Sequence, residues 1–207
     1  MVRTATYVER ETGRDGGSDG RTATGVDVGV AQPLAGADGV TAGPGGVAPE
    51  VFRSVFRRHP AGVTVVTLDG PGGPVGFTAT SLASLSLDPP LISLSIASSS
   101  SSWPAMLVAS TVVVHLLARD AGQLAARFAT SGVDRFAPPT RWTRLPTGEP
   151  HLPEAAAWLR CQVEHRLPTG DHQLVVARVL DARLVRTADP LLYHDGGYAG
   201  LVADDPA

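Results

Sequence analysis

The sequence predicts a mainly β domain, an antiparallel β-barrel with a few short flanking helices. After residue 50, β-branched and alternating segments recur about seven times, and short runs rich in Gly, Pro, Asp and Ser separate them. Apolar residues repeat at helical spacing in only a few short segments. These are too few to supply the crossover helices of a parallel sheet, so adjacent strands are expected to pair antiparallel through tight turns.

The first 49 residues differ in composition from the rest of the chain. They contain eleven of the 23 glycines, one aromatic residue (Tyr7) and no apolar periodicity. A segment of this kind buries too little apolar surface to offset the entropy lost on ordering. We therefore predict a disordered, Gly-rich N-terminal extension over residues 1–49 and a folded domain over residues 50–207. The alternative for the extension is a docking tail for a partner.

A short amphipathic helix opens the predicted domain. Phe52, Val55 and Phe56 repeat at the spacing of one helical face, with arginines between them. His59-Pro60 ends the helix, because the residue before a proline is pushed out of the α region. Three strands and two turns follow: the strands are residues 63–68, a segment from Val75 through Phe77, and residues 91–97, and the turns are residues 69–74 and 87–90.

Two further helices and several β segments are predicted in the second half of the domain. A serine at the cap and a proline in the first turn mark a helix over residues 103–108. In the other helix, residues 120–128, Leu124 and Phe128 share a face and Asp120 is the expected cap. The β segments are residues 111–117, 158–166, 173–185 and a hairpin over residues 193–198, whose Asp-Gly-Gly turn supplies positive φ angles.

The segment of residues 158–166 alternates between apolar and polar side chains. Alternation places successive side chains on opposite faces of a strand. One face is expected to carry Leu159, Cys161, Val163 and His165, and the other Arg160, Gln162, Glu164 and Arg166. Cys161 is accordingly expected to be buried and unreactive.

Composition and missing motifs exclude several classes of function. The formal net charge of −3, with mixed signs along the chain, argues against a nucleic-acid surface. A single cysteine excludes an internal disulfide framework and a multi-cysteine zinc site, and the histidines lack metal-ligand spacing, so no metal is expected. Without a membrane-spanning stretch or a signal peptide, the expected location is the cytoplasm, with no membrane partner. Rossmann and P-loop phosphate signatures are also missing.

Three stretches carry residues suited to ligand binding. Residues 76–86 (GFTATSLASLS) combine small side chains with hydroxyls, which lets a flat ring approach the backbone and offers donors to a carbonyl edge such as that of a flavin. The serine run 98–102 precedes a predicted helix and could bind an anion. The turn Gly170-Asp171-His172 presents a histidine. Each stretch also has a purely structural interpretation. Residues 76–86 could be a strand edge with a hydroxyl-stabilised turn, residues 98–102 a flexible loop with an ordinary helix cap, and residues 170–172 a common Gly-Asp turn.

Seven segments occur together, in one order, across residues 50–201. This ordered set resembles the flavin reductase family with the FMN-binding split-barrel fold, the small reductase components of two-component flavin-dependent monooxygenases. The resemblance implies that the predicted barrel is an antiparallel split β-barrel. The segments are residues 52–67 (FR through HPAGVTVVT), 76–82 (GFTATSL), 86–91 (SLDPPL), 124–129 (LAARFA), 134–136 (DRF), 170–172 (GDH) and 190–193 (PLLY).

The resemblance also implies a role for each matching segment. The residues along the flavin ring and ribityl chain would be Thr78, Ala79, Thr80, Ser81 and Leu82. Those around the ribityl and phosphate groups would be Ser95, Ala97, Ser98, Ser101, Ser102 and Trp103. The pocket would be closed by Phe128, Ala129, Phe136 and Arg135, the last near a phosphate or adenylate. His172, next to Gly170 and Asp171, would be the catalytic residue beside nicotinamide and flavin, and Tyr198 would come from the second subunit of a homodimer.

The implied activity is that of an NAD(P)H:flavin oxidoreductase. Hydride would pass from C4 of NADH or NADPH to N5 of FMN or FAD, with the protein aligning the two rings. Reduced flavin would then serve a partner monooxygenase. Because the chain has neither Lys nor Asn, Ser and Arg would hold the phosphate, which leaves FMN and FAD both open. The alternatives are a non-catalytic flavin-binding carrier or sensor of the same fold and an oxidase acting on a vitamin B6-type phosphate, although no basic cluster for that phosphate is visible.

Overall fold

The computed structural model describes residues 46–201, which form a mainly β fold built on one seven-stranded antiparallel sheet. The mainly β, antiparallel prediction is therefore confirmed. The extension predicted over residues 1–49 lies almost entirely outside the described residues and stays a prediction.

The strands of the described chain fall into one large sheet and two small ones. In chain order they are β1 (Ala61–Gly62), β2 (Thr64–Gly70), β3 (Gly73–Ala79), β4 (Ala83–Ser86), β5 (Leu91–Ala97), β6 (Thr111–Leu116), β7 (Thr143–Arg144), β8 (Pro150–His151), β9 (Ala157–Thr169), β10 (His172–Leu184), β11 (Leu192–His194) and β12 (Gly197–Ala199). The large sheet has the order β3-β2-β6-β9-β10-β5-β4, and its neighbouring strands are all antiparallel. The small sheets are β1-β11-β12 and β7-β8.

The helices are short and lie where apolar spacing, or for α2 the serine cap and first-turn proline, predicts them. They are α1 (Pro49–Phe56), α2 (Trp103–Val108) and α3 (Gly122–Ala129), the last preceded by a 3₁₀ turn at Arg119–Ala121. The predicted cap of α3 is wrong, because Ala121 is the capping residue and Asp120 lies inside the 3₁₀ turn. Asp120 instead accepts a hydrogen bond of 2.6 Å from Arg186, and this bond is the main reason that its pKa lies below the usual range. Among residues 46–201, no helix is long and apolar enough to cross a bilayer.

The large sheet curls around one hydrophobic core. Phe77, on the edge strand β3, packs into the same buried cluster as Ile92 and Leu94 of β5 near the opposite edge. The fully buried Val66 on β2 lies within this cluster, and Met106 of α2 covers it from outside the sheet. Strands that are far apart in the sheet order therefore share a core, which brings the loops at their ends close together.

The alternation predicted for β9 fails in its second half. Cys161 is buried, as predicted, but His165 is exposed, whereas Arg166 donates hydrogen bonds to the carbonyl oxygens of Met106 (2.9 Å) and Ala109. The register with β10 shifts between Val163 and His165, which leaves Glu164 as an extra residue. A β-bulge of this kind exchanges the two faces beyond it, so the arginine turns inward.

A second buried cluster lies between β2 and α3 and depends on a glycine. The ring of Phe128 is fully buried, and a Cβ atom at Gly76 of β3 would lie only 2.6 Å from its Cε1 atom. Thr78, on the same strand, donates a hydrogen bond of 2.7 Å to the carbonyl oxygen of Ala125. The helix therefore packs directly on the backbone of β3, at the point where that strand enters the loop that follows it.

Substituting Gly76→Ala should destabilise the fold by about 1–3 kcal/mol, because the added methyl group overpacks a core that has no room beside Phe128. Urea unfolding of both proteins would measure the change. Gly72→Ala is the matched control, since a Cβ atom there meets nothing within 4 Å, and its effect should stay within about 0.5 kcal/mol. Equal stabilities for the Gly76 variant and the wild type would contradict this account of the packing.

A buried histidine joins β6 to the loop after β8. His115 is fully buried, with Nδ1 lying 3.1 Å from the carbonyl oxygen of Val65 and Nε2 accepting from the backbone N–H of Leu152 at 3.0 Å. A neutral imidazole with its proton on Nδ1 satisfies both contacts. Burial, together with the neighbouring His151 ring at 5.5 Å, lowers the pKa of His115 to about 3 despite the contact with Val65.

Because His115 is buried as a neutral ring, we expect the free energy of unfolding to fall on acidification. In the unfolded chain the pKa of this ring is 6.5, so above pH 6.5 the ring is mainly neutral in both the folded and the unfolded chain. Below pH 6.5 the ring binds a proton in the unfolded chain, whereas in the folded chain it stays neutral until the pH falls to about 3. His115 should therefore lower the free energy of unfolding by about 2 kcal/mol between pH 7 and pH 5.

The variant His115→Gln tests this prediction, because an amide can donate to Val65 and accept from Leu152 without titrating. The loss between the two pH values should be smaller than in the wild type, measured by urea unfolding at each pH. His165→Gln, at an exposed position, should keep the wild-type loss. An unchanged loss in the His115 variant would show that this ring does not cause the acid sensitivity.

Candidate active site

Two loops predicted to bind ligand meet where β5 pairs with β10. The register places Ala97, the last residue of β5, opposite His172, the first of β10. The serine loop (residues 98–102) and the turn at residues 170–171 therefore begin side by side. The backbone N–H of Ser98 donates to the carbonyl oxygen of Asp171 at 2.9 Å, and the amide of Gln173 donates to the Ser98 hydroxyl at 3.0 Å.

The third predicted stretch, the 80–82 loop between β3 and β4, is fastened to the same strand. Ser81 accepts a hydrogen bond of 2.9 Å from the backbone N–H of Ser95 and donates one of 3.1 Å to the carbonyl oxygen of Ser95. Thr80 and Ser81 are exposed, and Leu82 packs against the first core cluster. Within the described part of the chain, the backbone N–H groups of residues 80–82 donate to no protein acceptor. The loop is thus held in place while its donors stay free.

The imidazole of His172 is oriented by its neighbour. Its Nδ1 atom lies 2.7 Å from Oδ1 of Asp171, and its Nε2 atom has no hydrogen-bond partner among residues 46–201. The hydrogen bond from His172 is the main cause of the lowered pKa of the exposed Asp171 carboxyl, and the positive charge of Arg53 adds to it. The turn therefore offers one free imidazole nitrogen and lies within electrostatic reach of α1.

An open cleft of about 610 Å³ lies beside the 80–82 loop. Thr80–Ala83 form one wall, α1 contributes Phe52, Arg53, Phe56 and Arg57, and the β11–β12 hairpin contributes Tyr193 through Gly196. The sequence predictions placed only the first of these walls at a ligand site. The wall on α1 could have been recognised in the sequence, because two phenylalanines and two arginines each repeat there at a spacing of four residues. The solvent-exposed face of an ordinary helix does not carry such a pair of aromatic rings.

Several predicted site residues lie behind this surface. Phe128 and Phe136 are buried in the second core cluster, with ring centroids 5.2 Å apart. Arg135 donates to the carbonyl oxygens of Gly76 (2.9 Å) and Thr130 (2.8 Å) and to the hydroxyl of the buried Ser102 (3.2 Å). Partial burial lowers the pKa of Arg135. Most N–H donors of its guanidinium are thus used in hydrogen bonds that connect the end of α3, β3 and the serine loop.

The remaining predicted residues do not line the cleft. Ser98 and Ser101 are exposed on the serine loop, and Trp103 is half-buried against the first core cluster. Ala129 is exposed at the end of α3. Tyr198 on β12 packs edge to face on Tyr193, with centroids 5.6 Å apart, and burial followed by the charge of Tyr193 raises its pKa. Tyr198 is not among the residues that line the cleft of this single chain.

The donors present suit a flavin. Its ring system needs hydrogen-bond donors at a carbonyl edge and close access to the backbone, and its phosphate needs an anion site. The free N–H groups of the 80–82 loop and the exposed hydroxyls of Ser98 and Ser101 provide these features. In the described chain, no group of three or more His, Cys, Asp or Glu side chains could hold a metal ion. The fold and the site together define a mainly β protein whose 80–82 loop and serine loop present hydrogen-bond donors suited to an organic cofactor.

Comparison with known proteins identifies the family. The model of the flavin reductase like domain matches residues 56–201. The chain is 48% identical over 157 residues to an NADH:FMN oxidoreductase of Rhodococcus qingshengii, which covers 74% of this chain and 82% of that protein. It is 36% identical over 156 residues to HsaB of Rhodococcus jostii, the reductase subunit of a flavin-dependent monooxygenase, covering 75% of this chain and 80% of that protein.

A solved structure shows the same relationship. The crystal structure of a flavin reductase domain protein from Arthrobacter sp. FB24 superposes with a TM-score of 0.72 at 40% sequence identity, covering 76% of this chain and 98% of that one. The chain belongs to the flavin reductase like domain family.

Proposed function

We propose that this protein is an NADH:FMN oxidoreductase that supplies reduced flavin to a separate monooxygenase. The names of its relatives, an NADH:FMN oxidoreductase and a monooxygenase reductase subunit, support both halves of the proposal. The observation that carries it is the convergence of the free N–H groups of residues 80–82, the serine loop and His172, which hydrogen bonds through β5 hold together.

The residues of the chain mainly bind and orient. A bound flavin supplies the atom that accepts hydride from the reduced nicotinamide. The N–H groups of the 80–82 loop stabilise negative charge at a carbonyl edge of the bound ring, because preorganised donors act without reorganising. Ser98 and Ser101 donate to a phosphate. His172, fixed by Asp171, offers Nε2 to the substrate beside it, and alignment of two rings supplies much of the rate without a strong general acid.

The finer architecture belongs to the same proposal. We infer that the large sheet closes as a split barrel, since strands from both ends of its order share one core. We also place the activity in the cytoplasm.

FMN is favoured over FAD, and NADH over NADPH, by the name of the relative that is 48% identical. Assays with all four compounds would decide both choices.

A homodimer is supported by large apolar side chains that a single chain leaves exposed. Leu167 on β9 and Leu180 on β10 are 48% and 45% exposed, and Leu107 and Val108 at the end of α2 are 53% and 62% exposed. Large apolar side chains that stay exposed in one chain can be buried against a second copy. We expect light scattering to give a mass twice that of the chain. A monomer mass at every concentration measured would contradict the homodimer.

The protein with added FMN should consume NADH, seen as loss of the nicotinamide absorbance band. His172→Ala should lower kcat roughly tenfold or more, because the ring that orients the reacting partner is lost, while the Kd for FMN changes little. His165→Ala, at an exposed position on β9, is the matched control and should retain wild-type turnover.

Two outcomes would count against these assignments. An unchanged kcat in the His172 variant would remove this residue from the site. Tight retention of FMN with slow reduction by NADH would favour the alternative of a flavin-binding carrier or sensor over an oxidoreductase.

A further inference from the structure

Helix α1 is a predicted amphipathic element that the proposed mechanism does not use. It buries none of its residues, and Phe52 and Phe56 are 53% and 55% exposed, with ring centroids 4.5 Å apart. Both rings line the cleft together with Arg53 and Arg57. A short helix that turns apolar and cationic side chains into the same open cleft is suited to a ligand that carries both a planar ring and negative charge.

The charge lining this cleft is mostly positive. Arg53 and Arg57 face a single carboxylate residue of the lining, Asp195. Arg53 lies 3.7 Å from Glu50 and also within electrostatic reach of Asp171, so its charge is partly balanced. Arg57 has no carboxylate within ion-pair distance and no side-chain hydrogen bond to any of residues 46–201. Its donors are available to a ligand.

The β11–β12 hairpin holds Arg57 at the edge of the cleft. The backbone N–H of Asp195 donates to the carbonyl oxygen of Arg57 at 2.9 Å. The guanidinium lies against the hairpin tip, since a Cβ atom on Gly196 would be 3.6 Å from Nη1 of Arg57. Asp195 and Gly196 both have left-handed φ angles, 49° and 85°, which produce the tight turn that lets the tip approach. A side chain that its neighbours already hold in place loses less conformational entropy when it binds a ligand.

We propose that Arg57 binds the diphosphate of the nicotinamide co-substrate in this cleft. The serine loop, which would hold the flavin phosphate, is not part of the cleft lining, so the free cation on α1 is left for a second anionic ligand. A guanidinium presents parallel N–H donors that match the oxygens of a phosphate. The inference rests on the proposed function for the identity of that ligand. It adds a specificity residue outside the segments expected to hold the flavin.

The test compares Arg57→Gln with Arg58→Gln, whose side chain is exposed and outside the cleft lining. The Kd for oxidised NAD⁺, measured by calorimetry, should rise roughly tenfold in the Arg57 variant and stay at the wild-type value in the Arg58 variant. In steady state, the KM for NADH should rise by a similar factor, while kcat at saturating NADH and the Kd for FMN change little. Arg57→Lys should recover part of the affinity, because charge is kept and the fork geometry is lost.

A co-substrate without phosphate separates recognition of the diphosphate from recognition of the ring. With reduced nicotinamide riboside, Arg57→Gln and the wild type should have the same KM. The proposal is overturned if both co-substrates are affected equally, if the Kd for FMN rises instead, or if the two arginine variants behave alike. It is also overturned if the wild type binds no NAD⁺ at millimolar concentration.

The calorimetric arm needs no turnover. A protein that binds NAD⁺ through Arg57 but fails to reduce flavin would therefore contradict the proposed function and leave this inference standing. Thermal melting of each variant checks folding. Because α1 buries no residue, we expect all of them to melt like the wild type.

Discussion

The antiparallel register between β5 and β10 is the constraint on which the site depends. Seven consecutive residue pairs, from Ala97 opposite His172 to Leu91 opposite Arg178, set this register. Because side chains alternate along a strand, a slip of one residue would turn His172 to the other face and separate the serine loop from the turn at residues 170–171. The core resists such a slip, since Leu94 and Val175, a cross-strand pair, are both buried in it.

A second set of contacts connects the core to the 80–82 loop. Gly76 accommodates Phe128, Thr78 is bonded to α3, and Arg135 donates to the carbonyl oxygen of Gly76. Each of these residues lies in a segment that the family resemblance singles out. Their contacts are with protein groups, so part of the motif acts by holding β3 rigid directly before the 80–82 loop. A motif residue can thus serve ligand binding without touching the ligand.

The sequence predicted the elements better than the surfaces that they form together. Periodicity and turn residues located the main strands, the three helices and the hairpin, because these signals are local. The cleft between α1 and the hairpin was not predicted, since it depends on contacts such as the one between Arg57 and Asp195, which are far apart in the chain. The bulge at Glu164 was missed for a related reason: pairing with β10, and not the alternation within β9, decides where the faces exchange.

The exposure of the candidate ligand groups has a consequence for how tightly a flavin is held. Thr80, Ser81, Ser98 and Ser101 are all exposed, so water competes for their hydrogen bonds in the free protein. A hydrogen bond formed under such competition contributes only about 0.5–1.5 kcal/mol to a neutral group and about 1.5–3 kcal/mol to a charged one such as a phosphate. Moderate affinity suits a reductase whose reduced flavin must leave for another protein. In the proposed function, a rigid site is compatible with weak retention of flavin, because buried contacts behind the loops provide the rigidity and the donors in front of them are exposed.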